Sequence, residues 1–141
     1  AKDAVAKAGA APLRAAISYA EPVPRSGLVF MDSPGYDPVS ATGQVASGAN
    51  LIAFTTGRGS CFGAKPAPSI KLASNSKVYC AMEGDMDVDC GTILDGRQSL
   101  KTLGEVVYNR LLDIASGQKT KSEIMGYGDL EFVPWRIGPV L

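Results

Sequence analysis

Two short apolar runs, each closed by a glycine-bearing turn, constrain this chain more than any other feature. Gly27-Leu28-Val29-Phe30-Met31 ends in Asp32-Ser33-Pro34-Gly35, and Leu51-Ile52-Ala53-Phe54 ends in Thr55-Thr56-Gly57-Arg58-Gly59-Ser60. Neither run alternates with polar residues and neither is long enough for a helix, so both read as fully buried strands. Residues 39–48 between them are rich in small side chains and suit a short helix. The three segments together predict a βαβ unit with parallel strands and a right-handed crossover. Pro66 and Pro68 forbid a long helix after the second run, so Ser69-Ile70-Lys71-Leu72-Ala73 is expected as a third strand reached through a loop.

Helical periodicity is clearest over residues 100–115, where Leu100, Leu103, Val107, Leu111 and Ile114 recur on one face, with Ser99 as N-cap and Gly117 as terminator. Thr120-Lys121-Ser122-Glu123 reads as a capping box opening a shorter helix, which accounts for Glu123 without a functional role. The alanine-rich start predicts helix, with Pro12 in the first turn of a second short helix running to Tyr19 and stopped by Glu21-Pro22-Val23-Pro24. The aromatic tail, including Phe132 and Trp135, is expected to pack back onto the domain. The expected fold is therefore α/β. It is a single domain with a mostly parallel sheet and flanking helices, Rossmann-like in topology, with residues 1–26 as a helical connector and residues 27–141 as the domain proper.

A chain of 141 residues can enclose a core of this kind without disulfide staples. Fourteen basic residues balance fourteen acidic ones, which argues against nucleic acid or anionic lipid as a partner, and no apolar stretch approaches the length of a membrane span. Cys61, Cys80 and Cys90 are odd in number and have no ligand spacing. They suggest neither a disulfide framework nor a zinc site and suit a reducing, cytoplasmic setting. Histidine is absent, which removes Ser-His-Asp and Cys-His chemistry from what this chain can do alone. The start lacks Met, consistent with a piece of something longer.

The loop after the second strand carries Gly57, Gly59 and Gly63. Phe62 stands where a dinucleotide fingerprint needs its third glycine, and no Lys-Ser/Thr pair follows. What the loop does offer is the hydroxyls of Thr55, Thr56 and Ser60, backbone N–H groups freed by glycine, and the guanidinium fork of Arg58. These suit a small anion or a sugar acid at the carboxyl end of a strand. Lys71 and Asn75, around the end of the third strand, are polar partners for this loop. A tight surface turn with a solvated arginine is the competing reading.

Asp85, Asp87 and Asp89 alternate with Met86 and Val88, and in an extended segment they would share one face at about 6–7 Å per pair. Two of them could share a hard divalent cation if loops bring in further oxygens. A solvated acidic edge that discourages aggregation is the alternative. Cys90 and Gly96 occupy positions that exclude an EF-hand.

Three ordered motifs make the chain recognisable: Phe54-Thr55-Thr56-Gly57-Arg58-Gly59-Ser60, then Pro68-Ser69-Ile70-Lys71-Leu72-Ala73-Ser74-Asn75, then Gly84-Asp85-Met86-Asp87-Val88-Asp89-Cys90-Gly91. With Ala115-Ser116-Gly117 and the capping box, the stretch from about Gly27 to Trp135 resembles the C-terminal domain of the altronate and galactarate dehydratases. Sulfolactate lyase belongs to the same wider family. The resemblance implies a hydro-lyase that removes water from a sugar acid to give a 2-keto-3-deoxy acid. The implied cofactor is a divalent metal, Fe2+ first, with Mn2+, Mg2+ or Ca2+ as alternatives.

It also implies that the remaining domains of the enzyme are partners, and a homo-oligomer is compatible with it. On this reading Thr55, Thr56, Gly57, Arg58, Gly59, Ser60 and Asn75 bind substrate, Asp85 and Asp87 contact metal or substrate hydroxyls, and Lys71 is the one candidate base here. The base is otherwise expected in the part of the enzyme upstream. An acidic-ligand binding module and a structural or oligomerising domain are the alternatives.

Overall fold

The computed structural model describes residues 8–133. The chain divides into two compact units, one holding residues 1–49 and 133–141 and the other residues 50–132. In both, parallel strands are flanked by helices, the α/β class that the alternation of apolar runs and helical periods implies.

In the first unit, β1 (Leu13–Ile17) pairs in parallel with β2 (Leu28–Met31), Ile17 opposite Met31, with an irregularity between Leu13 and Ala15. The helix expected over residues 12–19 is thus a strand. Pro12 suits an extended start as well as a helical one, and pairing along β2 supplies backbone hydrogen bonds that outweigh the weak helix preference of two alanines. Helix α1 (Asp37–Ala46) follows, carrying a proline in its first turn. The Tyr19 hydroxyl donates to the Val39 carbonyl at 2.7 Å, and its ring lies so close to α1 that a Cβ at Gly43 would stand 2.3 Å from it. Thr42 Oγ1 donates to the Pro38 carbonyl at 2.7 Å and accepts from the Val133 N–H at 2.8 Å.

In the second unit β3 (Ile52–Thr56), β4 (Ser69–Ala73) and β5 (Val88–Asp89) lie in that order, all parallel. The expected βαβ unit joining the two apolar runs in one sheet does not form: β2 pairs with β1, and β3 with β4. Nor are those two strands fully buried. Phe30 is 59 % exposed and Ala53 and Thr55 face solvent, because among the described residues each strand has a single neighbour. The strand buried along its whole length is β4, which is paired on both sides.

By strand alternation Ile70 and Leu72 point to one face of β4, and Ser69, Lys71 and Ala73 to the other. The first face packs with Val88, Leu103 and Ile114 into a core fringed by Leu51, Cys90, Ile93, Val107 and Leu111. Leu103, Val107, Leu111 and Ile114 come from α3 (Leu100–Ala115), capped by Ser99 as expected. Leu100, counted with that face by its spacing, is 75 % exposed at the first position of the helix and stays outside the core cluster. The second face is covered by the chain after β3, where Phe62 stacks on Phe54 with ring centroids 5.4 Å apart.

Two short helices complete the unit. Helix α2 (Ser76–Ala81) connects β4 to β5, and α4 (Lys121–Met125) opens on the capping box formed by Thr120 and Glu123. Of the acidic stretch expected to be extended, only Val88 and Asp89 are in strand. Within the tail, Phe132 is 49 % exposed while Glu131 Oε2 accepts the Gly63 N–H at 3.0 Å. Trp135 lies outside the described residues. No helix among the described residues is long and apolar enough to cross a membrane.

Candidate functional site

The carboxyl ends of β3, β4 and β5 are in register, Thr56 opposite Ala73 and Ala73 opposite Asp89. The loop leaving β3 is set by its own side chains. Thr56 Oγ1 accepts the N–H groups of Arg58 (3.3 Å) and Gly59 (3.1 Å), and Ser60 Oγ accepts the Phe62 N–H at 3.0 Å. Asn75 bridges from β4: its amide nitrogen donates to the Gly57 carbonyl at 3.1 Å, while its oxygen accepts the Val78 N–H at 2.9 Å and caps α2. Gly59 has φ +92, and a Cβ there would stand 2.0 Å from the Met82 sulfur, so no other residue gives this turn.

Arg58 is exposed, and its guanidinium has no ion pair or hydrogen bond among the described residues. Thr55 is exposed and Ser60 half-buried. The result is a fixed backbone presenting one free planar cation and several hydroxyls, a geometry suited to two-point capture of a carboxylate.

Beside it, Asp89 and Asp95 form a network with Ser76 and Arg97. Arg97 Nη2 lies 2.7 Å from Asp95 and 3.5 Å from Asp89, and it donates to Ser76 Oγ at 2.7 Å. The Arg97 hydrogen bond, with help from Ser76, holds the Asp95 carboxyl below its ordinary range. This cation is already committed, unlike Arg58.

Lys71 belongs to a different environment. Its side chain is completely buried, and Nζ has no hydrogen-bond partner among the described residues. Burial pushes its pKa down, opposed first by the negative charges of Asp85 and Asp87, with Cys61 and Glu131 also near it. Asp87 does not point at Nζ as a partner. Its Oδ2 accepts the Lys71 N–H at 2.8 Å and its Oδ1 accepts the Lys121 N–H at 2.9 Å, tying β4 to the first turn of α4.

The structure therefore joins Asn75 to the Thr56–Gly59 turn, and gathers Lys71, Asp85 and Asp87 elsewhere, on the amino side of β5. Cys61 and Glu131 complete the surroundings of Lys71. Glu131 lies 68 positions from its Gly63 partner, and no local pattern announces it. Among the described residues no three Cys, Asp or Glu side chains converge as a metal site, and the chain has no histidine. These residues do not by themselves fit a divalent ion, and no chemical step below is routed through one.

The sequence matches the family described as D-galactarate/altronate dehydratase, C-terminal, over residues 1–140. The chain belongs to this family. The match takes in the stretch before Gly27 as well as the three ordered motifs. Galactarate dehydratase (L-threo-forming) of Escherichia coli (strain K12) is 34% identical over 115 residues, 82% of this chain and 22% of that protein. Altronate dehydratase of Bacillus subtilis (strain 168) is 28% identical over 124 residues, 88% of this chain and 25% of that protein. The beta subunit of (2R)-sulfolactate sulfo-lyase from Chromohalobacter salexigens is 34% identical over 111 residues, 79% of this chain and 28% of that protein. The chain thus spans about a quarter of the length of the curated relatives it matches.

Proposed function

We propose that this chain supplies the carboxylate-binding part of a sugar-acid dehydratase that eliminates water to give a 2-keto-3-deoxy sugar acid. The observation that carries this reading is the unpaired, exposed Arg58 on a turn held by Thr56 and Asn75 at the carboxyl edge of a parallel sheet. The names of the relatives, dehydratases of galactarate and altronate, supply the substrate class.

Elimination next to a carboxylate begins with loss of a poorly acidic α-proton, and a cation fixed on that carboxylate stabilises the charge that develops there. Arg58 provides the cation, and Thr55 and Ser60 offer hydroxyls to the sugar-acid oxygens. Lys71 is this chain's own candidate to receive the proton, since burial favours the neutral amine that a base requires. Its Nζ is sealed from solvent, so that role needs residues 60–63 to move aside; otherwise the base comes from another part of the enzyme. A divalent ion, ferrous iron first, enters this reading only with ligands from outside the described residues.

The test is Arg58→Lys in the complete enzyme, which keeps the charge and loses the two-point fork. Turnover of galactarate or altronate per unit enzyme, as kcat/KM, is expected to fall by roughly 100-fold, on the order of 2.7 kcal/mol of transition-state stabilisation. Unchanged kinetics would remove the clamp. Sugar-acid binding without release of a keto product would turn the assignment toward a binding module.

A further inference from the structure

The turn that follows β5 lies directly against the start of α2. Gly91 packs so close to the peptide joining Asn75 and Ser76 that a Cβ on it would stand 2.0 Å from the Ser76 nitrogen and 2.6 Å from the Asn75 Cα. Asp89 Oδ1 fixes this turn by accepting the Gly91 N–H at 2.9 Å, and it also lies 3.0 Å from Ser76 Oγ. Asp95 Oδ2 approaches the same hydroxyl, again at 3.0 Å. A hydroxyl carries one proton, so Ser76 donates to only one of these carboxylates at a time. Arg97 supplies what is missing. Its Nη2 donates to Asp95 Oδ2 and to Ser76 Oγ, both at 2.7 Å, and lies 3.5 Å from Asp89 Oδ2. One guanidinium thus gathers two like charges on one hydroxyl.

Ser76 follows Asn75, and at Asn75 this network meets the turn after β3. The Asn75 amide donates to the Gly57 carbonyl at 3.1 Å. Among the described residues, Asn75 is the one side chain from outside the turn that hydrogen-bonds the backbone of residues 57–59, since the other bonds to it come from Thr56 within the turn. The backbone that carries Arg58 is therefore held from outside by a residue whose own place is set by Gly91 on one side and by Ser76 on the other.

We infer that Arg97 is a positioning residue for the anion-binding turn: by drawing Asp89 and Asp95 together on Ser76, it fixes Asn75 and, through the Asn75 amide, the Gly57 carbonyl beside Arg58. The inference rests on the reading of Arg58 as a carboxylate clamp. Arg97 itself is committed to its partners and takes no part in binding the sugar acid. Without it, the two carboxylates repel across a single proton, the turn after β5 backs away from Asn75, and the Arg58 fork loses its aim.

The experiment is a double-mutant cycle in the complete enzyme, read as kcat/KM for galactarate or altronate. Arg97→Gln removes the charge and keeps a side chain of moderate length. Asn75→Ser keeps a residue able to cap α2 and removes the amide that reaches Gly57. Arg97→Gln is expected to lower kcat/KM by about 10-fold, the scale of a small misplacement imposed from a distance. Arg97→Lys, which keeps a cation between the carboxylates, is expected to recover to within about 3-fold of the parent. In the Asn75→Ser background, Arg97→Gln is expected to cost less than about 2-fold more, because the route to Gly57 is already cut. A purely structural role would lower the unfolding temperature and leave the cost the same in both backgrounds, so all kinetics are taken below the unfolding temperature of every variant.

Unchanged kinetics in Arg97→Gln overturn the inference, and so do a loss that persists in full with Asn75→Ser and a loss just as large in Arg97→Lys. Any of these, with turnover still lost in Arg58→Lys, removes only the positioning role. A loss that depends on Asn75, together with unchanged kinetics in Arg58→Lys, leaves Arg97 positioning the turn and removes the carboxylate clamp.

Discussion

Arg58 and Lys71 are both basic, both without a side-chain partner among the described residues, and both on the second unit, yet the fold treats them in opposite ways. Arg58 stands in water on a turn whose backbone is fixed by Thr56 and Asn75. Lys71 is sealed in the middle of the one strand that is paired on both edges. An unpaired cation in water costs nothing and is available to a ligand. An unpaired amine in the interior costs several kcal/mol if charged, so its surroundings push it toward neutrality. Stability and availability are thus separated between two neighbouring elements.

Substitutions sharpen that contrast. The largest stability effect is expected from Asp87→Ala, which strips acceptors from the Lys71 and Lys121 backbone N–H groups together. A loss of about 3 kcal/mol follows from two charge-assisted hydrogen bonds, measurable by urea unfolding. Lys71→Met keeps the volume and removes the buried amine, so the protein should gain about 1–3 kcal/mol in the same assay. Destabilisation instead would show that the amine has a favourable partner.

The same variant tests the pH dependence. The folded pKa of Lys71 lies below the unfolded value of 10.5, so between the two the unfolded chain holds a proton that the native state lacks. Stability from this group therefore rises with pH across that window, at up to about 1.4 kcal/mol per unit, and its penalty is full below the folded pKa. Lys71→Met should flatten that rise. The smallest effect is expected from Arg58→Lys, within about 0.5 kcal/mol of the parent, even though the same change is expected to cost turnover. A large destabilisation would mean that Arg58 is structural and the contrast false.

Features encoded over three or four residues were legible in the sequence. The Ser99 cap, the Thr120 and Glu123 capping box and the glycine turn after β3 all depend on neighbours in the chain, and all are present. Pairing partners were not legible. An apolar run such as Leu28-Val29-Phe30-Met31 states that a strand forms, not whether it will have one neighbour or two, and burial follows from that number. This is why Lys71 lies in the fully buried strand while Phe30 is largely exposed. β1 was missed because alanines and a leading proline suit helix locally, and only the distant β2 makes the extended form better. Asn75 was legible as a partner of the loop, but the enclosure of Lys71 by Cys61, Asp85 and Glu131 depends on long-range closure that no spacing encodes.

Asn75 has a consequence for motion. One side-chain amide holds the Gly57 carbonyl with its nitrogen and the Val78 N–H in the first turn of α2 with its oxygen. The loop after β3 and the helix start are therefore joined through a single rotor, and opening one releases the other. Amide exchange at Val78 becomes a reporter on the loop, slowing whenever something occupies Arg58 and holds Gly57 in place.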